Sequence, residues 1–357
     1  HSFSRKNINL RVINYHNDKR GKLDILVSAL KSTERKISIV YAGSRKECET
    51  IAGRLSVRGI RATHYHAGLP SKDRQKKMNL FMQGKVDVIV CTSAFGMGID
   101  KKNVRQVFHW ILPSTIEDMY QEMGRAGRDG LTSDHFAFYD HSDIELAKER
   151  LITNYPTAEA VEKSYHFIRV YTRKSNSNTV EEDASFLADI IGTPVKKEHI
   201  PAIFDHFIRT GYLTEIKSAT NPNATQNKKQ RIFEVNDTFD NLMLDSVDKR
   251  HQAAHKKHKA LVDYFESKGC RSMKILRYLG DPELDKLPNT CQHCDNCVAT
   301  LVTQTNSKQS ITDKHSSETK NVDLIEKRIK GLVNSFSKQN RVPTHLVLPP
   351  LCINKIV

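Results

Sequence analysis

The run ISIVYAG (37–43) is short, apolar and rich in β-branched residues, and two similar runs follow it, VDVIVC (86–91) and VRQVFHW (104–110). Runs of this kind are typical of parallel strands that are covered on both faces. Helical stretches lie between them, and one begins at Ser44 with the S-x-x-E spacing of a capping box. Strand alternating with helix predicts a doubly wound α/β sheet over residues 1–150, with ligands beyond the carboxyl ends of the strands.

Beyond residue 150 the alternation stops and helical patterns predominate. Apolar residues recur at helical spacing from Ile200 to Ile208, and strand candidates follow at 209–216 and 231–235. This order predicts a winged-helix-like module, with a three-helix module as the alternative. We therefore expect four regions, namely an α/β lobe (1–150), a mainly helical, winged-helix-like insert (151–247), a small helical subdomain that carries cysteines (248–300), and a flexible linker and tail (301–357).

The charge of the chain points to a polyanionic partner. Its 357 residues carry a formal net charge of +15, with a pI of about 9.4. Such a balance favours nucleic acid, with a solvated basic surface as the alternative. No stretch approaches the ~20 apolar residues that a membrane span needs. Because the chain begins at His1 without a methionine or an apolar signal region, we expect a piece of a longer intracellular protein.

Four of the seven cysteines have the spacing C-x20-C-x2-C-x2-C, and they are Cys270, Cys291, Cys294 and Cys297. Four thiolates in this arrangement can close a tetrahedron around zinc. Four sulfur ligands leave no open coordination position, so we expect the zinc to be structural. Two alternatives are that His293 replaces one cysteine and that all four are free thiols.

The ten residues QEMGRAGRDG (121–130) hold two arginines between glycines. On a helix, Gln121, Arg125 and Arg128 lie at i, i+4 and i+7 and share one face, and the glycines permit close approach of another surface. Guanidinium groups stay charged and donate in a fixed fork, which suits the γ-phosphate oxygens where charge develops in phosphoryl transfer. The alternative is a surface helix with two solvated arginines.

The loop TSAFGMGID (92–100) joins two of the buried runs. Its glycines, Gly96 and Gly98, allow the backbone to approach a phosphate or a sugar, although glycine also serves ordinary tight turns. Asp100 can accept a hydrogen bond from a ribose hydroxyl, and the Thr92 hydroxyl can donate to a nucleic-acid phosphate. We expect this loop at the carboxyl edge of the sheet.

Taken together, these stretches resemble the second RecA-like lobe and the zinc-binding subdomain of RecQ-family DNA helicases, within superfamily 2. The matching stretches are SFSRKNI (2–8), YAGSRKECETIAGRL (41–55), YHAGL (65–69), TSAFGMGIDKKNVRQVFHW (92–110), YQEMGRAGRDG (120–130), CRSMKILRYLGD (270–281) and CQHCDNC (291–297).

The resemblance implies an ATP-dependent helicase that unwinds DNA in the 3′ to 5′ direction. Arg128 is then the arginine finger, and the other residues at the nucleotide cleft are Arg125, Gln121, Gly96, Gly98 and Asp100. Those implied to touch the DNA backbone or to couple to it are Ser44, Arg45, His66 and Thr92. The implied cofactors are structural zinc, ATP and Mg²⁺. The implied partner is DNA, as single strands and single/double-strand junctions, in chromosomal repair, recombination or replication.

The sequence departs from this family in one respect that bears on activity. It contains neither the phosphate loop G-x-x-x-x-G-K-[ST] nor an acidic D-E-x-H box. We expect the lobe that carries them to lie N-terminal to His1, so that this chain alone binds DNA but hydrolyses ATP negligibly. The alternatives are a stand-alone, zinc-stabilised DNA-binding module without catalytic activity, and a fragment of an RNA helicase.

Overall fold

The computed structural model describes residues 2–15, 21–31, 37–93, 95, 100–220, 229–236 and 241–300. The chain divides into two compact units, one formed by His1–Ile144 with Ala260–Val357 and the other by Glu145–Lys259. The predicted boundary near residue 150 therefore lies at 144/145. The cysteine-bearing segment does not form a region of its own, because residues 260–300 belong to the same unit as the α/β lobe. The predicted tail at 301–357 lies outside the described residues.

The lobe is built on a six-stranded sheet in the order β1-β6-β5-β2-β4-β3, and every pairing in it is parallel. The three apolar runs of the sequence form three of its central strands, whose side chains are buried because helices cover both faces. The strands are β1 (Ile8–Asn14), β2 (Ile37–Tyr41), β3 (Ala62–Tyr65), β4 (Val88–Cys91), β5 (Val104–His109) and β6 (Ser133–Tyr139).

Helices connect most of these strands, as the alternating pattern predicted. They are α1 (Gly21–Lys31), α2 (Arg45–Val57), α3 (Ser71–Met82), α4 (Ile116–Met123) and α5 (His141–Asn154). The core contains aliphatic side chains of α1 and α2 together with Val40, Val90, Phe108 and Phe136 of the sheet, which are fully buried. The α/β class predicted for this part of the chain is confirmed.

The second unit has a winged-helix-like order of elements, helix, strand, two helices and then two strands. These are α6 (Ala158–Ser175), β7 (Thr179–Glu181), α7 (Ala184–Ile191), α8 (Ile200–Thr210), β8 (Leu213–Thr220) and β9 (Lys229–Val235), with α9 (Leu244–Phe265) after them. The strands form an antiparallel sheet, β7-β9-β8. Its core is the predicted apolar face of α8, where Ile203, Phe204 and Phe207 are fully buried.

After α9 the chain returns to the first unit and forms one more helix, α10 (Arg271–Leu279), followed by the last three cysteines of the predicted metal site. Cys270 is the residue immediately before α10. Across the described part of the chain, no helix combines the length and apolar character needed to cross a bilayer.

Candidate functional site

The predicted site residues fall at two opposite edges of the parallel sheet. Ser44, Arg45, His66 and Thr92 follow directly after strands β2, β3 and β4, and we call them the carboxyl-edge group. Residues 124–130, called the arginine loop below, lead into the amino end of β6 instead. The N–H of Gly127 donates to the carbonyl of Val104, the first residue of β5, at 2.9 Å. The sequence predicted carboxyl-edge loops at 39–45 and 92–100 and assigned no edge to the arginine loop, which the structure places at the amino edge.

The arginine loop is not helical. Helix α4 ends at Met123, and the backbone of Gly127 has φ +57°, in the left-handed region. A Cβ at Gly127 would lie 2.4 Å from Asn7 Nδ2 and 2.7 Å from the carbonyl oxygen of Leu131. The predicted shared helical face is wrong for Arg125 and Arg128, because the chain leaves the helix before them. The close approach at Gly127 is to the chain itself.

The two arginines of the loop have different surroundings. Arg128 Nη1 donates to Asp100 Oδ1 at 3.2 Å, and 35% of the Arg128 side chain is exposed. Arg125 is half-buried near Tyr41; burial raises the pKa of Tyr41 well above its usual value, and the nearby Arg125 opposes that rise. Gln121 is exposed on α4. The pair of Arg128 and Asp100 therefore leaves charged groups at the amino edge accessible to solvent.

The connection from β4 to β5 crosses from one edge of the sheet to the other. It is anchored by Phe95, which is buried and packs edge-to-face on Tyr65 and Phe81 with ring centroids 5.0 and 6.0 Å away. Sequence reasoning missed this residue, although an aromatic side chain in a glycine-rich loop was a usable signal. The two glycines of the prediction, Gly96 and Gly98, lie outside the described residues.

At the carboxyl edge, the first turn of α2 is capped as the sequence predicted. Ser44 Oγ accepts from the N–H of Glu47 at 3.1 Å, and Glu47 Oε2 accepts from the N–H of Gly43 at 2.8 Å. Arg45, the first residue of α2, is exposed and lies over Gly68, where a Cβ would come within 2.8 Å of the Arg45 side chain. A helix N-terminus with an arginine beside it suits a backbone phosphate.

The other two members of the carboxyl-edge group are less accessible. His66 is only 3% exposed, and its Nε2 lies 3.0 Å from Glu49 Oε1. His66 therefore contacts Glu49 and presents little surface, and its predicted contact with the DNA backbone, or coupling to it, stays a prediction. Thr92 is half-buried, and its N–H donates to the carbonyl of Tyr65 at 3.4 Å.

Helix α4, which precedes the arginine loop, is fixed to the sheet by a buried polar chain. His109 Nε2 lies 2.6 Å from Glu122 Oε2, and His109 Nδ1 lies 2.7 Å from His135 Nε2. Burial lowers the pKa of His135 well below its usual value, and the neighbouring His109 adds to this effect. His135 is therefore neutral at pH 7.

The sulfur atoms of the four predicted metal ligands lie within 4.8 Å of one another, those of Cys291 and Cys297 being 4.0 Å apart. A zinc tetrahedron with Zn–S bonds of about 2.3 Å has edges of about 3.8 Å, so the spacing fits. Backbone N–H groups point at the sulfurs: that of Arg271 donates to Cys294 Sγ at 3.4 Å. His293 is not a member of this group. The donor set is that of a structural zinc, which would cross-link the segment.

Sequence reasoning missed the residue that connects the cysteine segment 291–297, called the zinc knuckle below, to the sheet by a hydrogen bond. Asp295 Oδ2 accepts from the N–H of Val12 in β1 at 2.9 Å, and Asp295 Oδ1 accepts from Arg271 Nε at 2.8 Å. Arg271 in turn donates to the carbonyl of Tyr264 in α9 at 2.7 Å. The metal ligands are therefore adjacent to contacts that hold the edge strand of the lobe.

Two family models match the chain, one over the α/β lobe and one over the cysteine-bearing segment. The model described as "Helicase conserved C-terminal domain" matches residues 21–130, which is the α/β lobe with the arginine loop. The model described as "RecQ zinc-binding" matches residues 226–298, which include all four cysteines.

Several helicases are similar to this chain. The chain is 43% identical over 143 residues to "Putative ATP-dependent DNA helicase Q1" of Caenorhabditis briggsae, 39% over 146 residues to "ATP-dependent DNA helicase RecQ" of Bacillus subtilis, and 40% over 172 residues to "RecQ-like DNA helicase BLM" of Xenopus laevis. These matches cover 40%, 41% and 48% of this chain, but only 23%, 24% and 12% of the relatives.

Proposed function

We propose that this chain, as the C-terminal region of a RecQ-family helicase of superfamily 2, supplies the second lobe of an ATP-dependent DNA helicase. In this proposal the chain completes a nucleotide site whose phosphate loop and Mg²⁺ ligands belong to another lobe. By itself the chain binds DNA and hydrolyses ATP negligibly. Coupling of ATP hydrolysis to movement along one strand, 3′ to 5′, separates the duplex.

The single observation that carries the proposal is the position of Arg128. Its guanidinium is partly exposed at the amino edge, beside Asp100, on a loop whose conformation is fixed by Gly127. A guanidinium delivered from a second lobe stabilises the charge that develops on the transferred phosphoryl group. Arg125 and Gln121 extend the same surface, and Asp100 accepts from a nucleotide ribose when Arg128 turns to the phosphate.

DNA is held at the other edge in this proposal. Arg45 and the N-terminus of α2 bind the backbone of a single strand, and the Thr92 hydroxyl donates to a neighbouring phosphate. The net charge of +15 adds a general attraction for DNA, including single/double-strand junctions. The zinc holds the knuckle and takes no part in the chemistry. Such a protein acts in repair, recombination or replication and is associated with the chromosome.

The test is Arg128→Ala in a protein that carries both lobes. We expect DNA-stimulated ATP turnover to fall by about 10³-fold or more, as for the loss of an arginine finger. DNA affinity should stay within about two-fold, because the proposed DNA contacts lie at the opposite edge of the sheet. Arg58→Ala is the matched control, since Arg58 also pairs with an aspartate of this lobe, Asp24, at 2.9 Å.

Unchanged turnover in Arg128→Ala, or a collapse of DNA affinity, would contradict this division of roles. Substantial ATP turnover by the 357 residues alone would contradict the proposal that the phosphate loop lies on another lobe. Equal affinity for RNA and DNA strands of the same sequence, at one salt concentration, would favour the RNA alternative.

A further inference from the structure

The segment Ser2–Asn7, called the strap below, lies against the arginine loop. Arg5 Nη1 donates to the carbonyl of Gly124 at 3.1 Å, and Arg5 Nη2 donates to that of Ala126 at 2.8 Å. A guanidinium presents its donors in a rigid fork, so one side chain fixes both carbonyls relative to each other. These carbonyls follow the end of α4 and have no helical partner.

Asn7 continues the same pattern. Its Nδ2 donates to the carbonyl of Gly127 at 2.8 Å and to that of Leu131 at 3.1 Å. The amide of Asn7 occupies the space that a Cβ of residue 127 would need. The strap therefore donates to carbonyls on both sides of Arg125 and just before Arg128, without touching either arginine side chain in these bonds.

The other end of the strap is held by the zinc-bearing segment. Asp281, two residues after α10, accepts from Ser2 Oγ at 2.9 Å and from the N–H of Phe3 at 2.5 Å. The Tyr120 hydroxyl of α4 donates to the carbonyl of Phe3 at 2.7 Å. Helix α10 begins immediately after the zinc ligand Cys270. The strap is thus hydrogen-bonded at its start to the metal-bearing segment and at Arg5 and Asn7 to the arginine loop.

We propose that the strap couples the zinc-binding segment to the nucleotide site, with Arg5 and Asn7 as positioning residues for Arg125 and Arg128. This inference rests on the proposed function of the arginine loop. In this proposal zinc does more than stabilise its own segment. The metal fixes α10, and Asp281 after α10 holds the strap. The strap in turn positions the loop that presents the arginines.

The physical basis is that several carbonyls of the loop accept from the strap, while most of its N–H groups donate to backbone carbonyls. Its conformation depends on a left-handed glycine and on carbonyls that accept from side chains distant in sequence. Loss of donors that fix a loop favours local opening, which amide hydrogen exchange measures directly. The loop can therefore be loosened while the sheet beneath it stays folded.

The experiment is hydrogen exchange of the zinc-loaded chain without nucleotide, read on peptides that cover residues 124–131. We expect Asn7→Ala and Asp281→Ala each to speed exchange there by about ten-fold. Asn9→Ala is the control for Asn7→Ala, because Asn9 lies two residues further on, in β1, and donates to Asp134 instead of to the loop. Asp183→Ala, which removes a helix cap in the second unit, is the control for Asp281→Ala.

Four outcomes would overturn the proposal. Unchanged exchange in Asn7→Ala removes the strap as a positioning element, and unchanged exchange in Asp281→Ala removes the link to the zinc-bearing segment. Equal acceleration by the controls shows a general loss of stability in place of a specific link. If a variant also exchanges faster throughout β2 and β5, Arg5→Lys decides, since a lysine keeps the charge but has one nitrogen in place of the two that each bond one carbonyl. Its loop peptides must then exchange at least about three-fold faster, and unchanged exchange overturns the proposal.

Turnover in a protein with both lobes separates this inference from the proposed function. If strap variants loosen the loop but ATP turnover is unchanged, the positioning role of the strap is supported and the proposed role of the loop in ATP turnover is rejected. If Arg128→Ala abolishes turnover while the strap variants leave exchange and kcat unchanged, the proposed function is supported and the positioning role of the strap is rejected.

Discussion

The two edges of the lobe hold their functional residues by different means. At the carboxyl edge, Ser44 and Arg45 are placed by a regular helix start, and their geometry follows from cap hydrogen bonds between residues 43 and 47. At the amino edge, the arginine loop is placed by Arg5, Asn7 and Val104, which lie far from it in sequence. Local rules build the first site, and long-range contacts build the second.

This difference predicts different sensitivities. Changes at the carboxyl edge should alter binding and leave the lobe intact, because the α2 scaffold does not depend on any one exposed side chain. Changes around the arginine loop should alter conformation first and function through it. Each of the following variants tests whether the two edges can be separated in this way.

Loss of zinc should have the largest effect. Cys294→Ser leaves three ligands, and we expect loss of the metal and destabilisation on the order of 5 kcal/mol or more, since structural zinc contributes about 10 kcal/mol in small domains. The arginine loop should loosen more than residues 43–47, because Asp281 of the zinc-bearing segment bonds the amino-edge strap. Zinc content measures the loss of the metal, and regional hydrogen exchange measures the loosening of each edge. Cys91→Ala, a buried free cysteine of β4, should keep its zinc; equal loosening of both edges would contradict the comparison.

Gly127→Ala should have the next largest effect. A Cβ there would meet Asn7 Nδ2 at 2.4 Å in a backbone conformation with φ +57°, so strain and overpacking add to about 3 kcal/mol. Gly130→Ala is the matched control, because Gly130 has φ +83° but nothing within 4 Å of its Cβ position. It should cost about 1 kcal/mol in denaturant unfolding. Similar costs for the two variants would show that the packing of Asn7 on the loop is unimportant.

Arg45→Ala should have the smallest effect on stability, within about 0.5 kcal/mol, because the side chain is exposed. Affinity for a DNA single strand should fall several-fold, and the slope of log affinity against log salt should decrease by about 0.7, the value for one phosphate contact. Arg54→Ala, in the last turn of the same helix, is the control and should change the slope less. An unchanged slope in Arg45→Ala would remove this residue from the proposed DNA surface.

Much of the fold could be predicted because its signals are local. The buried strands β2, β4 and β5 were visible as apolar runs, and the core face of α8 was visible as a helical repeat from Ile200 onward. The three-residue strand β7 was missed, since a segment that short has no periodicity to detect. The compact units divide at 259/260, within α9, where the continuous helical pattern gives no local signal of a boundary.

The candidate site was predicted in composition but not in geometry. The cysteines group as their spacing indicated. Arg128 pairs with Asp100, a predicted nucleotide-side residue, and Arg125 lies near Tyr41 of β2. The helical face assumed for them was wrong because a positive φ at Gly127 depends on packing against Asn7. His66 was expected among residues that touch or couple to DNA, but the sequence could not show that its ring is buried against Glu49.

The sequence by itself determined the alternation of strand and helix, the zinc ligands and the identity of the charged residues, because each follows from periodicity, spacing or side-chain chemistry within short windows. Only the tertiary structure decided that the predicted DNA and nucleotide residues lie at opposite edges of one sheet. It also decided that Arg5 and Asn7 hold the arginine loop. Strand order and hydrogen bonds across more than a hundred residues depend on the packing of the whole lobe, and no local pattern encodes them.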